Sequence, residues 1–325
     1  MDFLTNEFMV DPKRFDGPLL VTGAGGCLGA WTMAILARSG VECVGFDLTS
    51  ERHRPALVMG TEDADALNWE TGDITNFDNL KEIIRKHDIT AIIHYAGLQV
   101  PFCRANPALG ARVNVEGTIN VLQAAREIGI KRTALASSVA AHAMPPGGPW
   151  SETLYGAYKQ ANEHTAYVYW ADWRVPSVCL RPSIVYGIAR DQGMSSKSTI
   201  AIQAAALNQE YVVPFSGQLG WLYAGEAAAA FIAAVSQTGD GAPCFDLNGT
   251  CETLEGGLEV LRSIAPGAKI NCDGPPLPFP ANLDDSPLRN HLPDYPSISV
   301  ESGIRTTYLA FQALKSQGRL PQLPE

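Results

Sequence analysis

The sequence predicts an α/β fold built on a doubly wound parallel sheet, with a smaller C-terminal substrate-binding region. Short apolar runs alternate with longer helical patterns from about residue 18 to residue 180, which is typical of successive βαβ units. A glycine-rich turn directly follows the first apolar run and leads into a helix. That order of strand, turn and helix indicates a Rossmann-like, dinucleotide-binding sheet.

Length, composition and charge limit the possible partners. A chain of 325 residues with 46% hydrophobic residues can build one large globular core. The net charge is −10 and the basic residues form no cluster, so no nucleic-acid partner is expected. Residues 1–15 carry acids and no long apolar run, which predicts neither a signal peptide nor a membrane span. The seven cysteines are scattered without paired CxxC spacing, which predicts no metal site and reduced thiols in the cytoplasm.

The glycine turn is the first candidate binding element. Gly23, Gly26 and Gly29 have the spacing GxxGxxG between a strand at 18–22 and a helix that starts near residue 30. Glycines at these positions let the backbone approach a pyrophosphate at the helix N-terminus, although a glycine-rich turn without a ligand has the same composition. Cys27 and Leu28, inside the turn, are expected to contact the cofactor too.

Asp47 indicates which dinucleotide is bound. It stands at the end of the second strand, predicted over residues 41–46. A carboxylate there accepts hydrogen bonds from the ribose hydroxyls of NAD and repels the 2′-phosphate of NADP, so NAD is the predicted cofactor. Arg52 and Arg54 follow closely and leave two readings open: they hold that phosphate, or they lie in a solvated loop.

Later strands bring more candidates to the same edge of the sheet, since ligands bind beyond the carboxyl ends of parallel strands. Asp73 and Ile74 end the third strand, and Asp73 either contacts the adenine or only caps the helix predicted at 76–86. A fourth strand at 90–94 precedes a loop whose first residues are Tyr95, Ala96 and Gly97.

A tyrosine and a lysine on one helix form the candidate reaction centre. After a helix predicted from 107 to 128, a fifth strand ends in Ser137 and Ser138, and another helix follows at 154–173. In that helix Tyr155 and Lys159 are four residues apart and share one face, while Tyr158 points elsewhere. An ammonium beside a phenol lowers its pKa and makes it a usable acid or base, although a chance surface pair has the same spacing.

Five segments in order resemble the extended short-chain dehydrogenase/reductase superfamily, in its NAD-dependent epimerase/dehydratase-like branch. They are TGAGGCLG at 22–29, the segment at 112–132, LASS at 135–138, YGAYK at 155–159 and RPSIVYG at 181–187. The resemblance covers about residues 18 to 235 and is weaker beyond.

The resemblance implies a role for each matching residue. Tyr155 would be the acid/base, Lys159 would bind the nicotinamide ribose and lower the pKa of the tyrosine, and Ser138 would hydrogen-bond the reacting oxygen. Asn114 matches an asparagine that supports a proton-relay water, or is a buried residue that satisfies backbone groups. The complete set of expected cofactor contacts is Gly23, Gly26, Cys27, Leu28, Gly29, Asp47, Asp73, Ile74, Tyr95, Ala96, Gly97, Tyr155, Lys159, Arg181 and Ser183.

Two departures from the family pattern point to a small substrate. The run at 181–186 lacks the asparagine found in many nucleotide-sugar enzymes, and Leu219 and Gly220 replace an expected pair of charges. A substrate diphosphate needs cations, so a free sugar, sugar acid or similar hydroxy compound is favoured. The candidate substrate contacts, any of which also fits a structural or surface role, are Gln99, Arg104, Ser138, His142 and Arg190.

The remaining expectations concern organisation and activity. Residues 1–187, with 224–250 returning, are predicted to form the NAD-binding domain, and 188–223 with 251–325 the smaller region. The Pro-rich stretch 274–296 is either a lid or an ordered tail. Aromatic residues on several faces of the 154–173 helix predict a homodimer, namely Tyr167, Tyr169, Trp170 and Trp173. A dehydrogenase is favoured over an NAD-retaining epimerase, and a non-catalytic NAD-binding protein is the third alternative.

Overall fold

The computed structural model describes residues 2–323. Twelve strands lie in this range, and their bounds in chain order are β1 Leu19–Thr22, β2 Cys43–Asp47, β3 Trp69–Thr71, β4 Ala91–His94, β5 Thr133–Ala136, β6 Val178–Pro182, β7 Ile184–Tyr186, β8 Tyr211–Val213, β9 Gln218–Tyr223, β10 Cys244–Leu247, β11 Thr250–Thr253 and β12 Ile270–Cys272.

Thirteen α-helices connect and cover these strands within the same range. Their bounds are α1 Cys27–Arg38, α2 His53–Met59, α3 Thr61–Asp65, α4 Phe77–Lys86, α5 Val100–Ala105, α6 Pro107–Ala111, α7 Gly117–Ile128, α8 Leu154–Trp173, α9 Lys197–Leu207, α10 Ala224–Val235, α11 Leu254–Ile264, α12 Ser286–His291 and α13 Val300–Ser316. A π-helical turn at Arg112–Glu116 joins α6 to α7 and interrupts the single helix predicted there.

A seven-stranded parallel sheet forms the centre of the fold and confirms the predicted doubly wound architecture. Its strand order is β10-β6-β5-β4-β1-β2-β3. From β1 the chain builds β2 and β3 to one side, then crosses to β4, β5 and β6 on the other. The strand order therefore reverses between β1 and β4, and a crevice at such a reversal is where ligands bind in open α/β sheets.

Two smaller sheets occupy the C-terminal part. β11, β9 and β7 form one, and β12 pairs with β8 in the other. β7 belongs to the three-stranded sheet although it precedes residue 187, whereas β10 pairs with β6 at the edge of the main sheet. β10 lies within residues 224–250, and the domain division stays a prediction.

Apolar side chains cover both faces of the central sheet. On one face α1 and α10 pack together, and all twelve residues of α10 are buried. On the other face α4, α7 and α8 contribute Leu80, Val121 and Ala166 to a second cluster. Tyr169 belongs to this second cluster and is only 8% exposed, whereas Tyr167 of the same helix is exposed, so the aromatic residues of α8 lie on more than one face as predicted. Within residues 2–323, no helix combines the length and the apolar character that a bilayer crossing requires.

Candidate active site

A cavity of about 650 Å³ lies at the carboxyl ends of the central strands. We call the part at residues 23–29 and Asp47 the glycine-turn end, and the part at Gln99, Ser138, Tyr155 and Arg190 the tyrosine end. The two ends lie on opposite sides of β1, because β2 carries Asp47 while β5 leads to Ser138. The predicted site residues that line the cavity are Gly23, Gly26, Cys27, Leu28, Gly29, Asp47, Asp73, Ile74, Tyr95, Ala96, Gly97, Gln99, Ser138, Tyr155, Lys159, Ser183 and Arg190.

Backbone contacts explain the glycines of the turn. Gly23 has φ +71°, and a Cβ there would lie 2.7 Å from the backbone nitrogen of Ala96. A Cβ on Gly29 would lie 2.2 Å from the carbonyl oxygen of Gly23. Gly26 begins α1 without any side-chain cap, so the first amides of this twelve-residue helix are available to an anion. The turn therefore fits the pyrophosphate of NAD.

Asp47 and the two neighbouring arginines also fit NAD. Asp47 accepts hydrogen bonds from the backbone N–H of Gly25 at 2.8 Å and of Leu48 at 2.7 Å, which holds its carboxylate against the turn. Arg52 donates to the carbonyl oxygen of Asp65 at 2.7 Å and lies over the Trp69 ring.

Arg54 is also committed to other partners. It binds both carboxylate oxygens of Asp191, at 2.8 and 3.1 Å, and the carbonyl oxygen of Gly25 at 3.0 Å. Both arginines are therefore bound to other groups of this chain, which argues against a role for them in binding the 2′-phosphate of NADP.

Asp73 does not cap α4. Asn76 is the N-cap and accepts a hydrogen bond from the backbone N–H of Asn79 at 3.1 Å. Asp73 instead accepts from the N–H of Thr75 at 2.9 Å and lines the cavity. Of its two predicted roles, the capping role is therefore wrong.

The surroundings of Tyr155 shift the pKa of its hydroxyl in opposite directions. Burial raises the pKa of Tyr155, while a hydrogen bond with Ser138 and the positive charge of Arg190 lower it. Ser138 also accepts a hydrogen bond from the N–H of Ala140 at 3.1 Å, which fixes its side chain at the start of a short 3₁₀ turn. Tyr155 is thus held beside a hydroxyl donor and a cation that both favour its ionised form.

In this structure the pKa of Tyr155 does not show the lowering that the sequence predicts from Lys159. Its Nζ donates to the carbonyl oxygen of Ala136 at 2.6 Å and lies 5.5 Å from the centre of the Tyr155 ring. Burial lowers the pKa of Lys159 to about 8. The net shift in the pKa of Tyr155 is upward, so the expected lowering by Lys159 does not dominate in this structure.

The structure separates Ser137 from Ser138. Ser137 donates a short hydrogen bond to Glu163, which is buried in α8 and binds Arg181 through both oxygens, at 2.8 and 2.6 Å. The hydrogen bonds that Arg181 donates to Glu163 raise the pKa of Arg181. Ser137 lines the cavity but its hydroxyl is bound to Glu163, whereas Arg181, a predicted cofactor contact, belongs to the same network and does not line the cavity.

Two predicted substrate contacts also lie elsewhere. His142 pairs with Asp246 of β10 at 2.6 Å, so its side chain is directed toward that strand. Arg104 is exposed on α5. Neither predicted contact lines the cavity.

Asn114 is 1% exposed and lies in the π-helical turn. Its amide nitrogen donates to the carbonyl oxygens of Gly110 at 2.9 Å and Leu98 at 3.2 Å. The backbone carbonyl oxygen of Asn114 accepts hydrogen bonds from the Thr118 hydroxyl at 2.8 Å and the Asn162 amide at 2.9 Å. These side chains therefore satisfy a backbone acceptor of the π-helical turn. The contacts of its amide nitrogen agree with the structural interpretation of Asn114, and its buried Oδ1, which has no hydrogen-bond partner within residues 2–323, agrees with the proton-relay interpretation.

A segment of the predicted smaller region, in which the sequence named only Arg190, lines the cavity. Residues 188–195, here called the strap, are tied to the glycine-turn end at two points. Trp31 donates its ring N–H to the carbonyl oxygen of Ile188 at 2.9 Å, and Arg54 holds Asp191. The strap and the Pro-rich stretch add four further lining residues, namely Gln192, Met194, Ser195 and Phe279. The sequence named Arg190 of this segment as a candidate substrate contact but gave no signal for the pairing of Asp191 with Arg54.

No group of three His, Cys, Asp or Glu side chains in the described part of the chain could hold a metal ion. All seven cysteines are unpaired thiols. Cys27 lines the cavity, but burial raises its pKa to about 11, so its thiol is not activated.

Comparison with known proteins identifies relatives of this chain. The profile of the NAD dependent epimerase/dehydratase family matches residues 19–245. A UDP-glucose 4-epimerase of Rhizobium leguminosarum bv. trifolii is 34% identical over 136 residues, which are 42% of this chain and 39% of that protein. The chain thus spans less than half the length of that relative.

Solved structures share the fold over nearly the whole chain. A UDP-glucose 4-epimerase from Thermotoga maritima, solved with UDP-glucose, has a TM-score of 0.78 and 19% identity, covering 92% of this chain and 99% of that one. An L-threonine dehydrogenase from Clostridium difficile has a TM-score of 0.79 and 18% identity, with coverage of 94% and 99%. These two neighbours have different activities, so the shared fold does not select a substrate.

Proposed function

Because this chain belongs to the NAD dependent epimerase/dehydratase family, we propose that it transfers a hydride between the nicotinamide and a secondary hydroxyl of a small polar substrate. A sugar, a sugar acid or a similar hydroxy compound fits this description. The observation that carries the proposal is the meeting of Ser138 and Tyr155 in the cavity that the glycine turn also lines. We propose the same domain division as above, with the reaction centre at the junction.

Four polar side chains have separate roles in this reaction, namely Tyr155, Ser138, Lys159 and Arg190. NAD, when bound, supplies the hydride acceptor or donor. Tyr155 takes the proton from the substrate hydroxyl during oxidation and returns it during reduction. Ser138 hydrogen-bonds the same substrate oxygen, and Lys159 binds the ribose beside it. Burial raises the pKa of Tyr155, and Ser138 and Arg190 act in the opposite direction without cancelling that effect.

The cations around the cavity support a small substrate rather than a nucleotide sugar. A diphosphate is bound by several cations. Leu219 and Gly220 lie in β9, at the positions where the family pattern has charged residues, and their side chains carry no charge. Arg54 lines the cavity but is paired with Asp191, which leaves Arg190 as an arginine without an acidic partner.

An NAD-retaining epimerase is the second candidate, and the strap favours it. Trp31 and Arg54 tie the strap across the glycine-turn end, where it would cover a bound dinucleotide. An enzyme that returns its hydride to the same substrate has no need to release NAD. A non-catalytic NAD-binding protein is less well supported, since it has no use for the arrangement of Ser138 and Tyr155.

A substrate screen tests the proposal. Sugars, aldonic acids and uronic acids are incubated with the protein and NAD while the absorbance of NADH and the products are followed. Stoichiometric NADH selects the dehydrogenase, and product without net NADH, together with NAD that remains bound through gel filtration, selects the epimerase. Binding of NAD with no turnover of any compound would favour the non-catalytic alternative.

We also propose a cytoplasmic homodimer. Exposed apolar residues of α7 and α8 support the dimer, notably Ile119, Tyr167 and Val168, of which Tyr167 is 64% exposed. Seven unpaired cysteines are consistent with a reducing compartment. Light scattering at micromolar concentration should give twice the 34.9 kDa chain mass. A Tyr167→Glu variant should give the monomer mass, and a monomeric unmodified protein would contradict the dimer.

A further inference from the structure

The two arginines that line the cavity have different surroundings. Arg54 makes three hydrogen bonds, two of them to the carboxylate of Asp191. Arg190 makes one, at 3.2 Å to the hydroxyl of Ser195, and forms no ion pair with any residue in 2–323. Its Nε is buried and has no hydrogen-bond partner there. The strap therefore contributes Asp191 to an ion pair with Arg54. It also carries the guanidinium of Arg190, which has no anionic partner within residues 2–323.

The missing partner of Arg190 follows from the direction of its neighbour. Asp191 is next in sequence, but its carboxylate is turned away toward Arg54. A partly buried guanidinium without a counter-ion carries a desolvation cost that an anion would offset. Arg190 thus has the donors for an anion that no side chain in the described part of the chain supplies.

The surroundings of Arg190 place this anion close to the reaction centre. Gly193 has φ +95°, and a Cβ there would lie 2.3 Å from Oε1 of Gln99 and 3.3 Å from Nη2 of Arg190. Glycine therefore lets the Gln99 amide approach the guanidinium. Both side chains line the same cavity as Ser138 and Tyr155. An amide and a guanidinium fork together offer planar N–H donors, which match the two oxygens of a carboxylate.

We propose that Arg190 and Gln99 form a carboxylate subsite, so that the substrate is a hydroxy acid whose acid group lies near the reacting hydroxyl. This inference rests on the proposed function and names its substrate class. A carboxylate agrees with the single unpaired arginine, since a diphosphate needs more cations. The other anion within reach is a phosphate of the cofactor, because the charge of Arg190 also acts on Cys27 in the glycine turn.

Equilibrium binding separates these two sources. Calorimetry on the NAD-loaded protein compares hydroxy acids of three to six carbons with their matched polyols, for example D-gluconate with sorbitol. At least one acid should bind ten times more tightly than its polyol. Arg190→Gln should weaken binding of that acid at least tenfold while the affinities for the polyol and for NAD stay within about twofold. If every acid binds no better than its polyol, the proposal is overturned.

Three further variants complete the test. Arg85→Gln, which removes an exposed arginine of α4, should leave all affinities unchanged. Arg190→Lys keeps the charge without the fork and should lose part of the acid affinity, with thermal melting as the check on folding. Equal loss of NAD and acid binding in Arg190→Gln would assign Arg190 to the cofactor instead. Tyr155→Phe should still bind the acid, so turnover that survives in this variant would refute the proposed function and leave the subsite standing.

Discussion

The glycine-turn end of the cavity comes from one short stretch of chain, residues 23–29 with Asp47, whereas the tyrosine end is assembled from distant segments. Gln99, Ser138 and Arg190 follow three different strands of two sheets. The first end is shaped mainly by backbone contacts, such as the approach of Gly29 to the carbonyl oxygen of Gly23. The second end is shaped by side chains. Ser138 is fixed by a hydrogen bond, whereas Arg190 has no acidic partner within residues 2–323.

This difference separates the common reaction from the choice of substrate. Backbone at the glycine-turn end can bind the same dinucleotide whichever substrate lies beside it. Side chains at the tyrosine end can change one at a time. There Arg190 has no acidic partner within residues 2–323, because the neighbouring Asp191 pairs with Arg54. Tyr155 lies where the two ends meet, and substitutions at each end should therefore have separable effects.

The largest effect is expected at Tyr155. Tyr155→Phe removes the proton acceptor but keeps the ring, so kcat should fall about a thousandfold, within the range of general acid–base catalysis. NAD affinity should stay within a few-fold, since the glycine-turn end is unchanged. Kinetics with the substrate found by screening and calorimetry with NAD measure the two quantities. Tyr158→Phe, which removes a hydroxyl bonded to the carbonyl oxygen of Pro107, is the matched control. A fully active Tyr155→Phe enzyme would contradict the assignment.

The adjacent serines should give the next largest contrast. Ser138→Ala removes a donor to the reacting oxygen, and kcat should fall about a hundredfold. Ser137→Ala removes a hydrogen bond to Glu163 and should lower the free energy of unfolding by about 1 kcal/mol, with kcat reduced less than tenfold. Steady-state kinetics and urea unfolding of both variants test this. The reverse pattern would move the reacting hydroxyl to Ser137.

The sequence was sufficient for the elements whose signals are local. Glycine spacing, strand ends and the four-residue separation of Tyr155 from Lys159 all depend on neighbours in the chain, and the sheet confirms the predicted alternation. Lining of the cavity by Asp47, Ser138 and Lys159 agrees with the same local patterns. Their chemical roles stay predictions that the variants test.

The remaining side chains depended on contacts between distant segments. Arg181, Arg104 and His142 were plausible ligands by residue type, but their orientation depends on partners such as Glu163 and Asp246 that lie far away in sequence. Asp191 could not be paired with Arg54 from the sequence, because 137 positions separate them. Long-range pairing of this kind also left Arg190 without an acidic partner, and no local pattern reports that.

Asp47 tests the glycine-turn end alone. Asp47→Asn keeps an oxygen that can accept from the N–H of Gly25 but removes the negative charge. NAD affinity should fall about tenfold, or roughly 1.4 kcal/mol, and NADP should bind more tightly because the repulsion of its phosphate is lost. Calorimetric titration with each dinucleotide measures both. Glu62→Ala, which removes an exposed acid of α3, controls for net charge. Unchanged affinities for both dinucleotides would remove Asp47 from the binding site.

The smallest expected effect concerns His94, which lies beneath the junction of the two ends. Its Nδ1 is 2.7 Å from the hydroxyl of Thr22, just before the glycine turn, and its Nε2 is 3.1 Å from that of Thr118. Because the Thr118 hydroxyl donates to the carbonyl oxygen of Asn114, it accepts from His94, so Nε2 carries the proton and Nδ1 accepts from Thr22. Burial, and then the charge of Lys159, lowers the pKa of His94 to about 3.

The sign of the pH effect follows from this lowered pKa. Between about pH 3 and the ordinary value of 6.5, the unfolded chain binds a proton at His94 that the folded chain does not, so stability falls as the pH falls. From about pH 7.5 to about pH 6 this residue should account for a loss of roughly 0.8 kcal/mol in the free energy of unfolding. Urea unfolding at both pH values should show that loss in the unmodified protein and in His164→Gln, an exposed control on α8. His94→Gln should be less sensitive to pH by that amount. If the free energy of unfolding has the same pH dependence in all three proteins, His94 is not the source of the predicted loss of stability.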